Sequence, residues 1–283
     1  MMLRDALPRC TLMASDSALR LSALGPLLRI DFGELTVDIA PEAGGRLAQV
    51  VFEGVNWLVG HDAEHAATIA WGNFPMLPWA GRLRYGRFDF RGHRYQLPLD
   101  LGAHATHGVG FALPWQVEEH TPTRAVLALQ LPEDTRWPFG GSARHSIEVS
   151  ERRLRLRLTL RASAQAMPAM LGWHPWFLKP DALDFRPDHY YPRDAEGIAH
   201  LPLREPPPGP WDDCFHNREP VLLRRGGKSL RLISDCKHWV IYDEPVHATC
   251  IEPQSGPPDA FNLGLARILE PGDMLSTEFL WEW

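Results

Sequence analysis

The chain has 283 residues, of which 45% are hydrophobic and 23% are charged, and its formal net charge is −6. These values are typical of a soluble globular protein. They argue against a nucleic acid or an anionic membrane surface as the main partner, because no run of basic residues could neutralise phosphates. No stretch approaches the ~18 consecutive apolar residues of a membrane span, and residues 1–25 lack the apolar segment of a secretory signal. We therefore predict a cytoplasmic protein.

The N-terminal region differs from the rest of the chain in having no clear strand pattern. We expect residues 1–26 to be a loose extension, with Met13 as an alternative start, and residues 27–283 to form a single domain. The Pro-rich stretch at 202–210 is not accompanied by a change in composition, so it does not indicate a second domain boundary.

The cysteines show no CxxC pair and no zinc-ligand spacing, which favours free thiols in a reducing compartment. They are Cys10, Cys214, Cys236 and Cys250. The chain also lacks a dinucleotide-binding fingerprint and a phosphate-binding loop, so its motifs indicate no nucleotide cofactor.

Alternation of apolar and polar residues dominates the chain and predicts β-strands. In chain order the predicted elements are a hairpin over 51–57 turning near Gly54, a hairpin over 87–95 turning near Gly92, and strands over 126–131, 153–161, 239–242, 246–251 and 278–283. No segment has a sustained 3.6-residue apolar period, and the 26 prolines disfavour long helices. The pattern predicts an all-β fold, a large antiparallel sandwich with few short helices.

Glu252 is the first candidate for chemistry. It follows the strand predicted over 246–251 and is expected to open a loop that three prolines stiffen. A general base needs such fixed placement, because its geometry must be right before its pKa matters. The plain alternative is an ordinary loop glutamate.

His174 is the second candidate, because it lies among aromatic residues in the run Gly172-Trp173-His174-Pro175-Trp176-Phe177. An imidazole there could act as a general acid. The plain alternative is a buried core histidine whose hydrogen bonds are satisfied.

Three further positions carry polar groups near predicted turns. Arg82 follows a proline-rich segment, and its planar guanidinium could bind adjacent hydroxyls, although an exposed arginine is the simpler interpretation. His104 and His107 are three residues apart, but without a third ligand this spacing is a weak metal signal, and a hydrogen bond to a ligand is favoured. Asp212 and Asp213 form an acidic pair that is usually a turn or helix cap.

In their order along the chain and in their residues, these segments resemble the aldose 1-epimerase (galactose mutarotase-like) family. That family has an Asn-Arg-Ile segment, then Gly-x-Phe, His-Gly, His-Pro-[Tyr/Trp]-Phe, Asp-His-x-Phe, and Glu-Pro before Pro-Asp-Ala. The counterparts here are Gly81-Arg82-Leu83, Gly86-Arg87-Phe88, His107-Gly108, His174-Pro175-Trp176-Phe177, Asp212-Asp213-Cys214-Phe215, and Glu252-Pro253 with Pro258-Asp259-Ala260. The resemblance runs from about Leu27 to the C-terminus.

The resemblance implies a sugar site on the concave face of a β-supersandwich. Glu252 would be the general base that takes the anomeric O1 proton, and His174 the general acid that protonates the ring oxygen. Arg82, His107 and Asp212 would hold sugar hydroxyls, with His107 also assisting at the ring oxygen. The reaction needs no redox step, so no cofactor and no metal are expected. The partner would be a small-molecule sugar, and the chain could be a monomer or a homodimer.

Two departures from the family pattern leave the choice of sugar open: Gly81 stands where the family has asparagine, and Asp213 where it has histidine. One alternative is a hexose-6-phosphate 1-epimerase, which would use Arg84 and Arg87. The stretch after His107-Gly108, however, lacks the arginine of the phosphate-specific members. A second alternative is a non-catalytic sugar-binding or regulatory protein. A glycosidase would need a second carboxylate, for which Asp212 is a weak candidate.

Overall fold

The computed structural model describes residues 16–283. Cys10, Met13 and most of the expected N-terminal extension therefore lie outside the described residues. The strands in chain order are β1 (Leu28–Phe32), β2 (Leu35–Ala40), β3 (Arg46–Phe52), β4 (Val55–Asn56), β5 (Asn73–Met76), β6 (Arg82–Leu83), β7 (Arg87–Phe90), β8 (His93–Gln96), β9 (Ala105–Thr106), β10 (Gln116–Thr121), β11 (Arg124–Gln130), β12 (Ser142–Ser150), β13 (Arg153–Arg161), β14 (Met167–Ala169), β15 (Gly172–Leu178), β16 (Ala182–Asp184), β17 (His189–Tyr191), β18 (Asp212–His216), β19 (Val221–Arg225), β20 (Lys228–Ser234), β21 (His238–Tyr242), β22 (Ala248–Gln254), β23 (Arg267–Leu269) and β24 (Met274–Glu282).

Helical structure in the described residues is short. One α-helical turn, α1, spans Ala260–Leu263, and 3-10 turns span Ser17–Leu19, Arg84–Gly86 and Gly110–Ala112. No helix among residues 16–283 is long and apolar enough to cross a membrane.

Two large antiparallel sheets form the body of the molecule. The first has the order β1-β2-β3-β5-β15-β22-β21-β18-β17, with β4 paired to β3, and the second has the order β10-β11-β12-β13-β24-β20-β19-β16. Three two-stranded sheets, β14-β23, β6-β9 and β7-β8, complete the fold. The expected all-β antiparallel architecture with few short helices is confirmed.

The core lies between the two large sheets. Phe177 of β15 contacts Trp281 of β24 with ring centroids 4.7 Å apart, and Trp173 lies 5.7 Å from Phe279. Because side chains alternate along a strand, residues 173 and 177 of β15 face this core, while His174 and Trp176 face the opposite side of the sheet. The first sheet is therefore covered on one face by the second sheet and carries functional side chains on the other.

The predicted hairpins are present. β3 and β4 turn at Glu53-Gly54, and β7 and β8 turn at Arg91-Gly92, where both residues of each pair have positive φ. Paired positive φ values are the signature of the tight two-residue hairpin turns that match strand twist. The alternating Leu154 to Leu160 segment is also a strand with alternate residues buried.

The prediction for the segment around Glu252 is wrong in its boundaries. Val246 is exposed, and strand β22 runs over Ala248–Gln254, so Glu252 lies inside the strand and does not open a loop. Every residue of β22 is buried, because the strand is central in its sheet and is covered on both faces. Asp212 and Asp213 likewise begin a strand, β18, where a turn or helix cap was the alternative.

Residues 16–22, which we call the N-terminal strap, contact the domain. The backbone N–H of Ala18 donates to Asp100 O (3.1 Å), and Ser22 N–H donates to Ala66 O (2.8 Å). Ala18 is buried in the core. The domain boundary at residue 26 stays a prediction. The part of the expected loose extension that covers residues 1–15 lies outside the described residues.

Candidate active site

The register of the central strands brings the functional side chains into two rows on the face of the first sheet that is turned away from the second sheet. In one row His174 is level with Glu252, which pairs with Val240, which pairs with Cys214. In the next row Trp176 pairs with Cys250, Cys250 with Tyr242, and Tyr242 with Asp212. Neighbouring strands lie about 4.8 Å apart, so residues distant in sequence become neighbours.

Glu252 and His174 are in direct contact. The Nε2 atom of His174 lies 3.2 Å from Oε1 of Glu252, and their side chains are only 6% and 3% exposed. The Nε2 amide of Gln254 donates to the other carboxyl oxygen of Glu252 at 3.2 Å. Gln254 therefore fixes the carboxyl group from the same strand, a role that the sequence analysis missed.

Aromatic rings fix the imidazole of His174. Phe74 stacks on it with centroids 4.6 Å apart and an interplanar angle of 24°, and Trp176 stacks with centroids 5.4 Å apart. Of the two tryptophans near His174 in the sequence, Trp173 and Trp176, only Trp176 flanks the imidazole. Trp173 instead faces the core, where its indole N–H donates to His145, because alternate residues of a strand face opposite sides.

Burial shifts the proton affinities of this pair in opposite directions. Burial raises the pKa of Glu252 well above its ordinary value, with the Asp212 charge adding to the effect. Burial also lowers the pKa of His174 to about 3, because the charged imidazolium is poorly solvated there. Burial therefore favours the uncharged form of each group in the ligand-free pair.

His107 lies beside the pair. Its ring centroid is 4.8 Å from that of His174 with the rings perpendicular, and its Nδ1 accepts the backbone N–H of Gly81 at 3.3 Å. This acceptor role places the ring proton on Nε2. Burial lowers the pKa of His107 well below its ordinary value, so His107 is a neutral donor.

The backbone around His107 explains two glycines. His107 has φ +61° and Gly108 φ +77°, and a Cβ at Gly108 would lie 1.9 Å from the carbonyl oxygen of Leu77. At Gly81, φ is +68° and an added Cβ would lie 2.7 Å from Pro258. Glycine at position 81, the departure noted in the sequence, thus accommodates close packing of Pro258.

Arg82 and Asp212 lie in the same pocket but do not form a close pair, since Arg82 Nη2 is 3.9 Å from Asp212 Oδ2. The principal partner of Asp212 is Arg193, whose Nη1 donates to Oδ2 at 2.5 Å and whose Nε donates to Asp213 Oδ1 at 3.1 Å. The sequence analysis did not identify Arg193, because nothing in the residues around it indicates that it pairs with Asp212 and Asp213.

Ion pairs hold the segment that carries Arg193 against the pocket wall. Arg84 contacts Asp194 and Glu196, and the hydroxyl of Tyr85 donates to Glu196. The Arg82 guanidinium donates to the carbonyl of Gly197 at 3.4 Å. The Arg84 guanidinium is therefore ion-paired with carboxylates that lie outside the pocket.

All five predicted site residues line one cavity of about 390 Å³, a volume within the range of small-molecule sites. Their assigned roles stay predictions. Four acidic residues in this lining, Asp212, Asp213, Glu244 and Glu252, outnumber its two guanidinium groups, Arg82 and Arg193.

Among residues 16–283, the side-chain cluster that could hold a metal ion is His174, Cys250 and Glu252, whose ligand atoms lie within 4.8 Å of one another. Burial raises the pKa of the Cys250 thiol and of the Glu252 carboxyl, which favours their protonated forms and disfavours a metal. His104 and His107 do not form a site together, since each Nδ1 accepts a backbone N–H, from Tyr85 and Gly81 respectively.

Comparison with known families decides the family. The model of the aldose 1-epimerase family matches residues 26–280. The chain belongs to the aldose 1-epimerase family.

Solved structures of similar fold agree with this assignment. A putative aldose 1-epimerase from Escherichia coli K12 superposes with a TM-score of 0.78 at 19% identity, covering 91% of this chain and 98% of the other. The GalM/aldose epimerase homologue of C. elegans gives 0.79 at 17% identity, covering 91% and 98%. A galactose 1-epimerase from Lactobacillus acidophilus gives 0.76 at 18% identity, covering 90% and 94%. At these identities the likeness shows the galactose mutarotase-like fold alone.

Curated relatives match over shorter regions. The uncharacterized protein YihR of Escherichia coli K12 is 31% identical over 98 residues, which is 34% of this chain and 32% of YihR. The uncharacterized protein YphB of the same organism is 28% identical over 106 residues, 37% of this chain and 36% of YphB. The chain thus spans about a third of the length of the curated relatives it matches.

Proposed function

We propose that this member of the aldose 1-epimerase family is a mutarotase that interconverts the α and β anomers of a free aldohexose. The observation that carries the proposal is the buried Glu252–His174 contact at 3.2 Å, in a cavity that also holds His107, Arg82 and Asp212. A paired acid and base in one water-poor site is what ring opening of a hemiacetal requires.

The reaction begins with one proton on the pair. Transfer of that proton from Glu252 to His174 creates a carboxylate base beside an imidazolium acid. Glu252 then takes the proton from O1 while His174 gives its proton to the ring oxygen. The C1–O5 bond breaks, and its electron pair stays on the ring oxygen as the C1=O1 double bond forms.

Rotation about the C1–C2 bond presents the other face of the carbonyl. As the ring closes, Glu252 gives its proton back to O1 and His174 takes back the proton of the attacking hydroxyl. No atom or electron is gained or lost, and each assistance contributes roughly 10²–10⁴-fold to the rate. His107 Nε2–H, the Arg82 guanidinium and the Asp212 carboxylate hold hydroxyls during the rotation. Arg193 orients Asp212 by bridging it to Asp213.

The charge balance of the cavity supports a neutral sugar over a hexose 6-phosphate. Arg82 and Arg193 face four acidic residues in the lining, and Arg84 is paired with Asp194 and Glu196. A phosphate dianion would need an uncompensated cation cluster. The described part of the cavity offers none.

Polarimetry of freshly dissolved sugars tests the proposal. We expect the pure protein to accelerate the optical rotation change of α-D-glucose or α-D-galactose and to act at least about 10-fold less on glucose 6-phosphate, since an unpaired dianion is costly to bury. Acceleration of glucose 6-phosphate alone would favour the phosphate epimerase, and binding of a sugar without acceleration would favour a sugar-binding protein.

A further inference from the structure

The N-terminal strap (residues 16–22) lies outside the region matched by the family model, which begins at residue 26. Backbone hydrogen bonds tie it to two loops of the domain. Ile69 N–H donates to Ala18 O (3.2 Å) and Thr68 N–H to Arg20 O (2.9 Å), while Ala18 N–H donates to Asp100 O (3.1 Å). At the start of the strap, the Asp16 carboxylate accepts the backbone N–H of Gly102 at 3.1 Å.

The strap contributes a wall to the sugar cavity through Leu19. Leu19 lines the cavity with Ile69, Ala70 and Leu101, which come from the two loops that the strap connects. Trp176 adjoins this wall, because its indole N–H donates to the carbonyl of Ile69 at 2.7 Å. The side chains of Leu19, Ile69, Ala70 and Leu101 are apolar, so these four residues offer a sugar hydroxyl no side-chain hydrogen-bond partner.

Trp176, which adjoins the apolar wall, and Asp212 lie at opposite ends of one cross-strand row. They are separated by three strand spacings, which at about 4.8 Å per spacing puts their backbones roughly 14 Å apart. Glu252 and His174 lie in the neighbouring row, on strands β22 and β15, at the Trp176 end.

We propose that the N-terminal strap completes the sugar site of this chain and that Leu19 selects for aldoses without a hydroxyl on the exocyclic carbon, such as 6-deoxyhexoses. The proposal rests on the mutarotase function proposed above. A pyranose with O1 on Glu252 and its ring oxygen on His174 has C5 on the far side of the ring oxygen from C1. Its exocyclic carbon then points away from Asp212, toward Leu19.

A hydroxyl turned toward this wall would lose its water without gaining a partner, whereas a methyl group would be buried favourably. Apolar pockets reject an added hydroxyl by no more than about 100-fold, so the expected selectivity is moderate. A 6-phosphate on the same carbon would be excluded far more strongly.

D-Fucose and D-galactose differ only in the 6-hydroxyl and therefore isolate this contact. We expect the wild-type protein to show a kcat/KM for D-fucose about 10-fold or more above that for D-galactose. Leu19→Ala should reduce this ratio at least about threefold, mainly by raising the KM for D-fucose, and Leu19→Met should restore most of it.

Leu21→Ala is the matched control, since Leu21 belongs to the same strap but its side chain points to solvent and is 78% exposed. It should leave the ratio of kcat/KM values unchanged. An equal preference for the two sugars in the wild type, or equal ratios in the Leu19→Ala and Leu21→Ala variants, would overturn the assignment of Leu19.

These outcomes separate the two proposals. A wild-type protein that accelerates D-galactose but shows no deoxy preference loses only the role of Leu19. A wild-type protein that accelerates neither these two sugars nor D-glucose loses the mutarotase function, and the role of Leu19 with it.

Discussion

Glu252 and His174 lie in a buried 3.2 Å contact in which burial favours the uncharged form of each group. The pKa of Glu252 is raised and that of His174 is lowered, so the ligand-free pair favours the neutral carboxylic acid and imidazole. Ring opening instead uses the carboxylate and the imidazolium. One proton transfer within the pair produces the reactive form. A sugar that places O1 on Glu252 and its ring oxygen on His174 would stabilise that form.

Replacement of the base is the first prediction. Glu252→Gln keeps the size and the hydrogen-bonding groups but cannot take the O1 proton, so kcat should fall by roughly 10²–10⁴-fold while sugar binding is largely kept. Polarimetry gives the rate, and titration calorimetry gives the binding. Glu244→Gln, a change at another carboxylate of the same cavity, should retain most of the activity. Near wild-type turnover by Glu252→Gln would remove Glu252 from the mechanism.

The pH profile tests the acid. Since the active pair holds one proton, kcat/KM should fall as pH rises through the raised pKa of Glu252 and the pair loses that proton. A carboxylate base and an imidazolium acid would ordinarily have a low and a higher pKa, respectively. In this site burial raises the pKa of Glu252 and lowers that of His174, because it favours the neutral form of both groups.

His174→Asn should lower the rate sharply and turn the alkaline fall into a rise. Without an imidazole to accept the shared proton, only the ionised Glu252 can act, and its fraction grows with pH. A variant that keeps the wild-type rate and the alkaline fall would make His174 a structural residue and would move the acid to His107.

Glu252 should also destabilise the folded protein above acid pH. Its folded pKa is raised above the ordinary value of 4.5, so the folded state holds a proton that the unfolded chain releases. Stability therefore falls as pH rises through 4.5 toward the folded pKa. Glu252→Gln should raise Tm by a few degrees at pH 8, at about 2–4 °C per kcal/mol, and by much less at pH 4. Equal shifts at both pH values in thermal melts would contradict the raised pKa.

The His107-Gly108 turn provides a test of backbone placement. Gly108→Ala puts a Cβ into the Leu77 carbonyl at positive φ, and we expect a loss of several kcal/mol together with loss of activity. Gly92→Ala is the control, because φ there is +80° but nothing lies within 4 Å of the added Cβ. It should cost only about 1–2 kcal/mol, the cost of a left-handed alanine. Similar urea midpoints for the two variants would show that the close approach to Leu77 is unimportant.

Local patterns were enough to predict the architecture but not every boundary. Strands with one solvent-exposed face, such as the one carrying Leu154 to Leu160, show a clear alternation of apolar and polar residues and were predicted. Strand β22 is buried on both faces and contains Pro253, so it has no alternation, and Glu252 was assigned to a loop. A central, doubly covered strand lacks the period that sequence patterns detect.

The candidate site was predictable only where a residue type carries its own signal. His174, His107 and Glu252 lie in distinctive His-Pro, His-Gly and Glu-Pro contexts. Arg193 and Leu19 have no such context, because their positions depend on contacts with Asp212 and with the loops around Ile69 and Leu101. Pairings of this kind are formed by the fold as a whole and leave no local pattern.

Exchange between the two anomeric protons of the sugar, followed by NMR magnetisation transfer, tests the central claim most directly, because it reports interconversion at equilibrium. The wild-type protein should increase the exchange rate in proportion to its concentration, and Glu252→Gln at the same concentration should lower that increase by at least about 100-fold. An exchange rate unchanged by the wild-type protein for D-glucose, D-galactose and D-fucose, or increased equally by Glu252→Gln, would contradict the account.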